Sequence, residues 1–182
     1  MKNNKKYFGL DLDETLISAK GSASGCKILA FDNGFDFLID DFLIENGEQI
    51  NYYYLISERP YLMDFLKYLD ENYNVFIFSR AEFSYVHKIV AKLGFDSKKT
   101  PVFTRDDCDI VINEDVLIYK KNLVKISKKL GIKTSDMFFL DDAVDVDQIT
   151  QIGGLIHAPE YVVNEHDDFL RNLVLDMKNG AI

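Results

Sequence analysis

At 182 residues and 47% hydrophobic, the chain has the length of one domain and enough apolar material for a sizeable core. A formal charge of −9 argues against nonspecific nucleic-acid binding and against an anionic membrane surface, since both require a basic footprint. Only two cysteines, Cys26 and Cys108, and no apolar run near the ~18 residues of a membrane span argue against a disulfide framework, a four-ligand structural zinc site and a spanning helix. The expected setting is reducing and cytoplasmic.

The chain starts with "MKNNKKYF", a basic stretch without the apolar core of a secretory signal behind it, which reads as a solvated tail. "YFGLDLDETLIS" (7–18) is an apolar run that ends in Asp11 and Asp13, a like-charged pair that is unfavourable at the end of a buried strand without a positive partner. Residues 19–57 gather aromatic and β-branched side chains around Asn46-Gly47, a hairpin signal, and are expected to form a small β insertion. It is either a decorative hairpin or a flap that shapes a substrate site, because ligands of open α/β sheets bind beyond the carboxyl ends of the strands.

From residue 60 onward, short apolar runs alternate with helical periodicity. Pro60 opens a helix with Leu62, Phe65, Leu66 and Leu69 on one face. The strand "NVFIFS" (74–79) follows, then a helix carrying Phe83, Val86, Val90 and Leu93 up to Gly94. Leu123, Ile126 and Leu130 mark a third helix before Gly131, "MFFLDD" (137–142) and "GLIHA" (154–158) two further strands, and Asn164 the cap of a last helix with Phe169, Leu170 and Leu173. Such alternation with wholly apolar strands implies an α/β fold, a parallel sheet covered on both faces, in a single domain spanning 1–182.

Strands ending in "DLDET", "FSR" and "LDD" place Asp11, Asp13, Ser79, Asp141 and Asp142 at one edge of such a sheet. Clustered acids with no basic partner call for a cation, and oxygen-only ligands suit Mg²⁺, which commonly shares its site with a substrate phosphate.

These residues also carry a resemblance. "DLDETL" (11–16) fits the DxDx[TV] motif of the haloacid dehalogenase superfamily in its phosphatase form. More narrowly, "RPYLMDFLKYL", "FIFSRAEFSYVHKIVAKL", "VFTRDDC" and "KNL" (121–123) are similar to the small phosphatases that act on the RNA polymerase C-terminal domain. The stretch "KKLGIKTSDMFFLDDAVDVDQITQIGGLIHA" is similar to the magnesium-dependent phosphatases of the same superfamily, so the likeness runs from Tyr7 to about Ala158. It implies a Rossmann-like fold and a Mg²⁺-dependent phosphomonoester hydrolase working through an aspartyl-phosphate. The implied nucleophile is Asp11, with Asp13 as the acid that protonates the leaving oxygen and then activates water. The implied metal ligands are Asp11, the Asp13 carbonyl, Asp141 and Asp142. The resemblance implies Ser79 on the phosphoryl oxygens, Lys121 neutralising their charge, and Thr15 bracing the loop; Arg80, where these phosphatases usually carry a small residue, completes with Thr15, Ser79 and Lys121 the candidate phosphate-binding set. Lys121 is preferred to Lys120 because "KNL" echoes the family's "KDL".

The fourth-motif stretch "LDDAVDVDQ" departs from the Asp-Asn of the polymerase-tail phosphatases but keeps an oxygen ligand. The short insertion leaves no room for a large lid, which favours a phosphorylated protein (on serine, threonine or tyrosine) over a small phosphate ester. A catalytically silent binding domain would have lost the nucleophile or the basic residue, and both are present. Arg80 is either a bidentate phosphate contact or the partner of a surface acid, and Arg105 either faces the site or is structural. His87 reads as a helix residue, His157 and His166 have no evident partner, Cys108 reads as a packed thiol, and Tyr52, Tyr53 and Tyr54 as strand packing.

Overall fold

A computed structural model describes residues 5–23, 35–114, 116–144, 151–163 and 165–182. Strand β1 (Tyr7–Leu10) leads through a tight loop into β2 (Ile17–Ala23), and β3 (Phe37–Glu45) and β4 (Glu48–Glu58) follow. Next come α1 (Leu62–Asn72), β5 (Asn74–Phe78), α2 (Phe83–Lys92) and the short β6 (Val102–Phe103). After a single 3₁₀ turn at Arg105–Asp107, strands β7 (Asp109–Asn113) and β8 (Val116–Lys120) form a hairpin. The described elements end with α3 (Leu123–Leu130), β9 (Met137–Asp141), β10 (Gly154–His157) and α4 (Phe169–Lys178).

The main sheet has five parallel strands in the order β10-β9-β1-β5-β6. Its strands are apolar on both sides because helices cover both sides. Phe8, Leu10, Ile77 and Leu140 pack with Leu62, Phe65, Leu69, Val86, Ile89, Leu170 and Leu173 of α1, α2 and α4. Phe76, Phe78, Met137 and Phe139 point the other way, onto Leu123 and Ile126 of α3. Helix α3 is stopped at both ends by local chemistry: the Asn122 side chain accepts the Lys125 N–H at 2.9 Å, and Gly131 takes a left-handed conformation with φ of 68°.

The structure enlarges one expectation and adds an element. The insertion is a three-stranded antiparallel sheet, order β2-β4-β3, in which β4 pairs on both sides. The turn at Asn46 and Gly47 joins β3 to β4, both residues having positive φ. The β7–β8 hairpin was not anticipated from the sequence. The expected cap Asn164 and the residue Cys26 lie outside the described residues; α4 starts after Asp168. Among the described residues no helix is long and apolar enough to cross a membrane.

Candidate active site

The loop after β1 is held before any ligand is considered. The Asp11 N–H donates to the Leu140 carbonyl at 3.0 Å, tying the loop to β9, and the Leu12 carbonyl accepts from Leu16 and Ile17 at 2.8 and 3.0 Å. Glu14 occupies the left-handed region with φ of 59°, which lets the chain reverse within three residues. Its carbonyl accepts the Tyr161 N–H at 2.7 Å. This turn delivers Asp11 and Asp13 at the carboxyl edge of the sheet.

The acids meet there with one lysine. Lys121 Nζ lies 2.7 Å from Asp11 Oδ1 and 2.9 Å from Asp141 Oδ2, and all three side chains are buried. Oxygens of Asp11, Asp141 and Asp142 lie within 4.8 Å of one another. Asp142 is fixed by Thr15, whose hydroxyl donates to Oδ1 at 2.8 Å and accepts the Asp142 N–H at 2.9 Å. With both capacities used on Asp142, the fully buried Thr15 braces the two loops against each other and has no hydrogen left for a phosphate.

Electrostatics follow from burial. Desolvation lifts the Asp11 carboxyl to about 7, Asp141 and Asp13 push the same way, and Lys121 opposes them. Burial alone would draw the Lys121 ammonium down, yet Asp11 and Asp141 more than offset it, so the lysine stays charged. Asp13 is also raised by burial, against the stabilising effect of a Tyr85 hydroxyl that donates to its Oδ1 at 2.5 Å.

Ser79, 2% exposed, leaves β5 at the same edge. Its N–H donates to the Phe103 carbonyl and its Oγ accepts the Ala81 N–H, so the hydroxyl hydrogen is not required by either bond. Arg80 is half-buried, and among the described residues no hydrogen bond or ion pair fixes its guanidinium. Arg105 donates from Nε to the Arg80 carbonyl at 2.9 Å, pairs with Glu82 and lies over the Tyr119 ring, a structural engagement that still leaves it on the cleft wall. That cleft, about 350 Å³, runs from Asp13 and Glu14 between the insertion (Asp41, Phe42, Tyr52, Tyr54) and the start of α2.

Several side chains have partners the sequence did not indicate. His157 Nε2 is 2.8 Å from the Asp142 carbonyl, His166 meets Asp168 at 3.1 Å, and the His87 ring packs on Phe83 with centroids 4.1 Å apart. Lys121 turns inward, whereas Lys120 closes β8 opposite Asp109. Cys108 is a packed thiol, 5% exposed, with burial pushing it up to about 11. Tyr85 escaped the sequence altogether, because nothing in its spacing marks a partner 72 positions away.

Comparison with known proteins fits this arrangement. The family model of NLI interacting factor-like phosphatases matches residues 9–180. A putative CTD phosphatase-like protein of Invertebrate iridescent virus 6 is 30% identical over 181 residues, covering 89% of each chain. Two structures of the RNA polymerase II CTD phosphatase Fcp1, one from fission yeast with bound beryllium fluoride, superpose with TM-scores of 0.60 and 0.57 at 20% identity. They cover 97% and 96% of this chain, which spans about half the length of either Fcp1 chain. At that identity the likeness establishes the fold alone, a central parallel sheet flanked by helices. The extent of the family match and the viral relative establish the rest: the chain belongs to the NLI interacting factor-like phosphatases and is a phosphatase.

Proposed function

We propose that the protein is a Mg²⁺-dependent phosphomonoester hydrolase that works through an aspartyl-phosphate on Asp11 and acts on phosphorylated proteins. The observation that carries this reading is the ion cluster itself. Oxygens of three carboxylates lie within 4.8 Å of one another, two of them paired with one buried lysine, leaving an excess of negative charge beside an open cleft. Hard oxygen donors in that number fit a divalent cation such as Mg²⁺, with Asp11, Asp141, Asp142 and the Asp13 carbonyl as ligands. Bound there, the ion supplies positive charge to the phosphoryl oxygens and offsets the acids.

The residues then divide the work. Lys121 holds Asp11 Oδ1 and favours its ionised form against burial, which leaves the other oxygen to attack phosphorus. The bond from phosphorus to the leaving oxygen breaks as Asp13 gives that oxygen its proton. Ser79 donates its hydroxyl hydrogen to a phosphoryl oxygen, and Arg80, whose guanidinium no described residue fixes, reaches the same group. In the second half Asp13, now a carboxylate, takes a proton from water; the water oxygen bonds to phosphorus, and the Asp11–phosphorus bond breaks to release phosphate. Thr15 acts by holding Asp142 rather than by touching the phosphate. A protein substrate is supported by the open cleft and by an insertion whose described part is a three-stranded sheet lining one side of that cleft.

The test is hydrolysis of p-nitrophenyl phosphate, of phosphoserine, phosphothreonine and phosphotyrosine peptides, and of sugar phosphates, with Mg²⁺ and with chelator. Turnover is expected to need Mg²⁺, to favour peptides, and to fall on the order of 10³-fold or more in Asp11→Asn. A folded protein that binds Mg²⁺ but hydrolyses none of these would overturn the catalytic reading. Preference for sugar phosphates would overturn the protein-substrate part alone.

A further inference from the structure

We propose that Tyr85 is a positioning residue for Asp13, fixing which carboxylate oxygen meets the leaving group, and that the β insertion holds Tyr85 in place through Tyr54. The inference rests on the acid–base role proposed above for Asp13.

The contact is specific. The Tyr85 hydroxyl donates to Asp13 Oδ1 at 2.5 Å, and Tyr85 is 7% exposed, in the first turn of α2. A carboxylate has two equivalent oxygens and a side chain free to rotate. One short bond to Oδ1 removes that freedom and leaves Oδ2 as the oxygen that carries the proton. The bond also changes strength during the reaction. When Asp13 has given up its proton, the phenol donates to an anion, and hydrogen bonds to ionised acceptors are roughly twice as strong as neutral ones. Tyr85 therefore stabilises the state in which the leaving group has just been protonated.

Tyr85 is itself buttressed. Its ring meets that of Tyr54 on β4 edge-on, with centroids 5.0 Å apart and planes at 64°. Opposite Tyr54 in the sheet stands Gly21 of β2, where a Cβ would lie 3.2 Å from the Tyr54 ring. The small residue lets the ring lie across the neighbouring strand and reach Tyr85. Gly21, Tyr54, Tyr85 and Asp13 thus form a continuous line from the insertion to the acid, and the last three of them line the cleft. This gives the insertion a part in catalysis besides lining the cleft.

A buried tyrosine also needs a hydrogen-bond partner for purely structural reasons, and the chemistry separates the two roles. Benzyl phosphate releases an alkoxide that must be protonated as it leaves; p-nitrophenyl phosphate, nearly the same shape, releases a phenolate that needs no proton. The full chain with Mg²⁺ would be compared as wild type, Tyr85→Phe and Asp13→Asn, using kcat/KM because it reports only the steps up to leaving-group departure. Urea midpoints confirm that the variants fold. Tyr85→Phe is expected to lower kcat/KM for benzyl phosphate roughly 10-fold or more, and for p-nitrophenyl phosphate about 2-fold at most, with Asp13→Asn showing the same bias more strongly. Equal losses on both esters, or no loss on either, in Tyr85→Phe while Asp13→Asn keeps its bias would overturn the role of Tyr85 alone. An unbiased loss in Asp13→Asn would remove the acid role of Asp13 and the positioning role with it.

Discussion

Lys121 is a cation whose side chain is 1% exposed, and it remains charged only because Asp11 and Asp141 face it. In such a triad the removal of one member is worse than the removal of all, since the remaining charges stay buried without compensation. Lys121→Met, which preserves the length of the side chain, is expected to lower stability by about 3–5 kcal/mol in urea titrations with chelator present. A loss within experimental error would show that the acids relax to solvent and that the lysine is not their counter-charge. The acids of this cluster were legible in the sequence because each closes an apolar run, and parallel strands bring such ends together. The choice of lysine was less so. Lys120 and Lys121 are adjacent, and only the end of β8 decides that the first stays in the hairpin and the second turns into the core. Thr15 and Tyr85 were harder still, because their bonds to Asp142 and Asp13 span 127 and 72 positions and leave no local pattern.

The position of the cluster depends on how three strands sit side by side, and a glycine governs their spacing. Gly9, in the middle of β1, is opposite Phe76 of β5 and Phe139 of β9. The two rings close over it, stacked with centroids 6.1 Å apart and planes at 20°. A Cβ at Gly9 would lie 2.2 Å from Phe76 Cζ and 2.5 Å from Phe139 Cδ2, too near for either ring to keep its place. Gly9→Ala is therefore expected to cost about 1–3 kcal/mol by overpacking, read as a lower urea midpoint. Phe139→Leu in the same chain should recover part of the loss; no change in the single variant would mean that the rings move freely. At this scale the apolar runs and their Gly and Pro boundaries made the main sheet and its helices readable. Two elements escaped for physical reasons. The β2 sequence "ISAKGSA" has little β propensity of its own and is fixed by pairing with β4. The β7–β8 hairpin leaves Ile110, Ile112 and Leu117 exposed, so its apolar residues carry no alternation between a buried and a solvated face.

Across the whole molecule, the loop after β1 is also held from the far end of the chain. Arg59, 1% exposed, donates from Nη1 to the Thr15 carbonyl at 2.8 Å and from Nε to Asp167 Oδ2 at 2.9 Å. Its Nη2 makes no hydrogen bond to the described residues but meets the same Asp167 oxygen as an ion pair at 2.8 Å. The guanidinium lies between the rings of Phe169 and Tyr161, at 4.7 and 5.6 Å. Asp167 in turn accepts the Phe169 N–H at 2.9 Å, at the start of α4. A path of direct contacts thus joins α4 to Asp167, Arg59, Thr15 and finally Asp142 in the acidic cluster. Asp167→Ala is expected to lose about 3–5 kcal/mol, because it leaves a guanidinium buried without its counter-charge. Replacing both partners by apolar residues, Arg59→Met with Asp167→Leu, should be less damaging than Asp167→Ala for the same reason. The double variant still lacks the donor to the Thr15 carbonyl, so its phosphatase activity should stay below wild type even where its urea midpoint recovers. Recovery of both together would show that the clamp serves stability alone; recovery of the midpoint without the rate would show that the end of the chain helps to hold the site in shape.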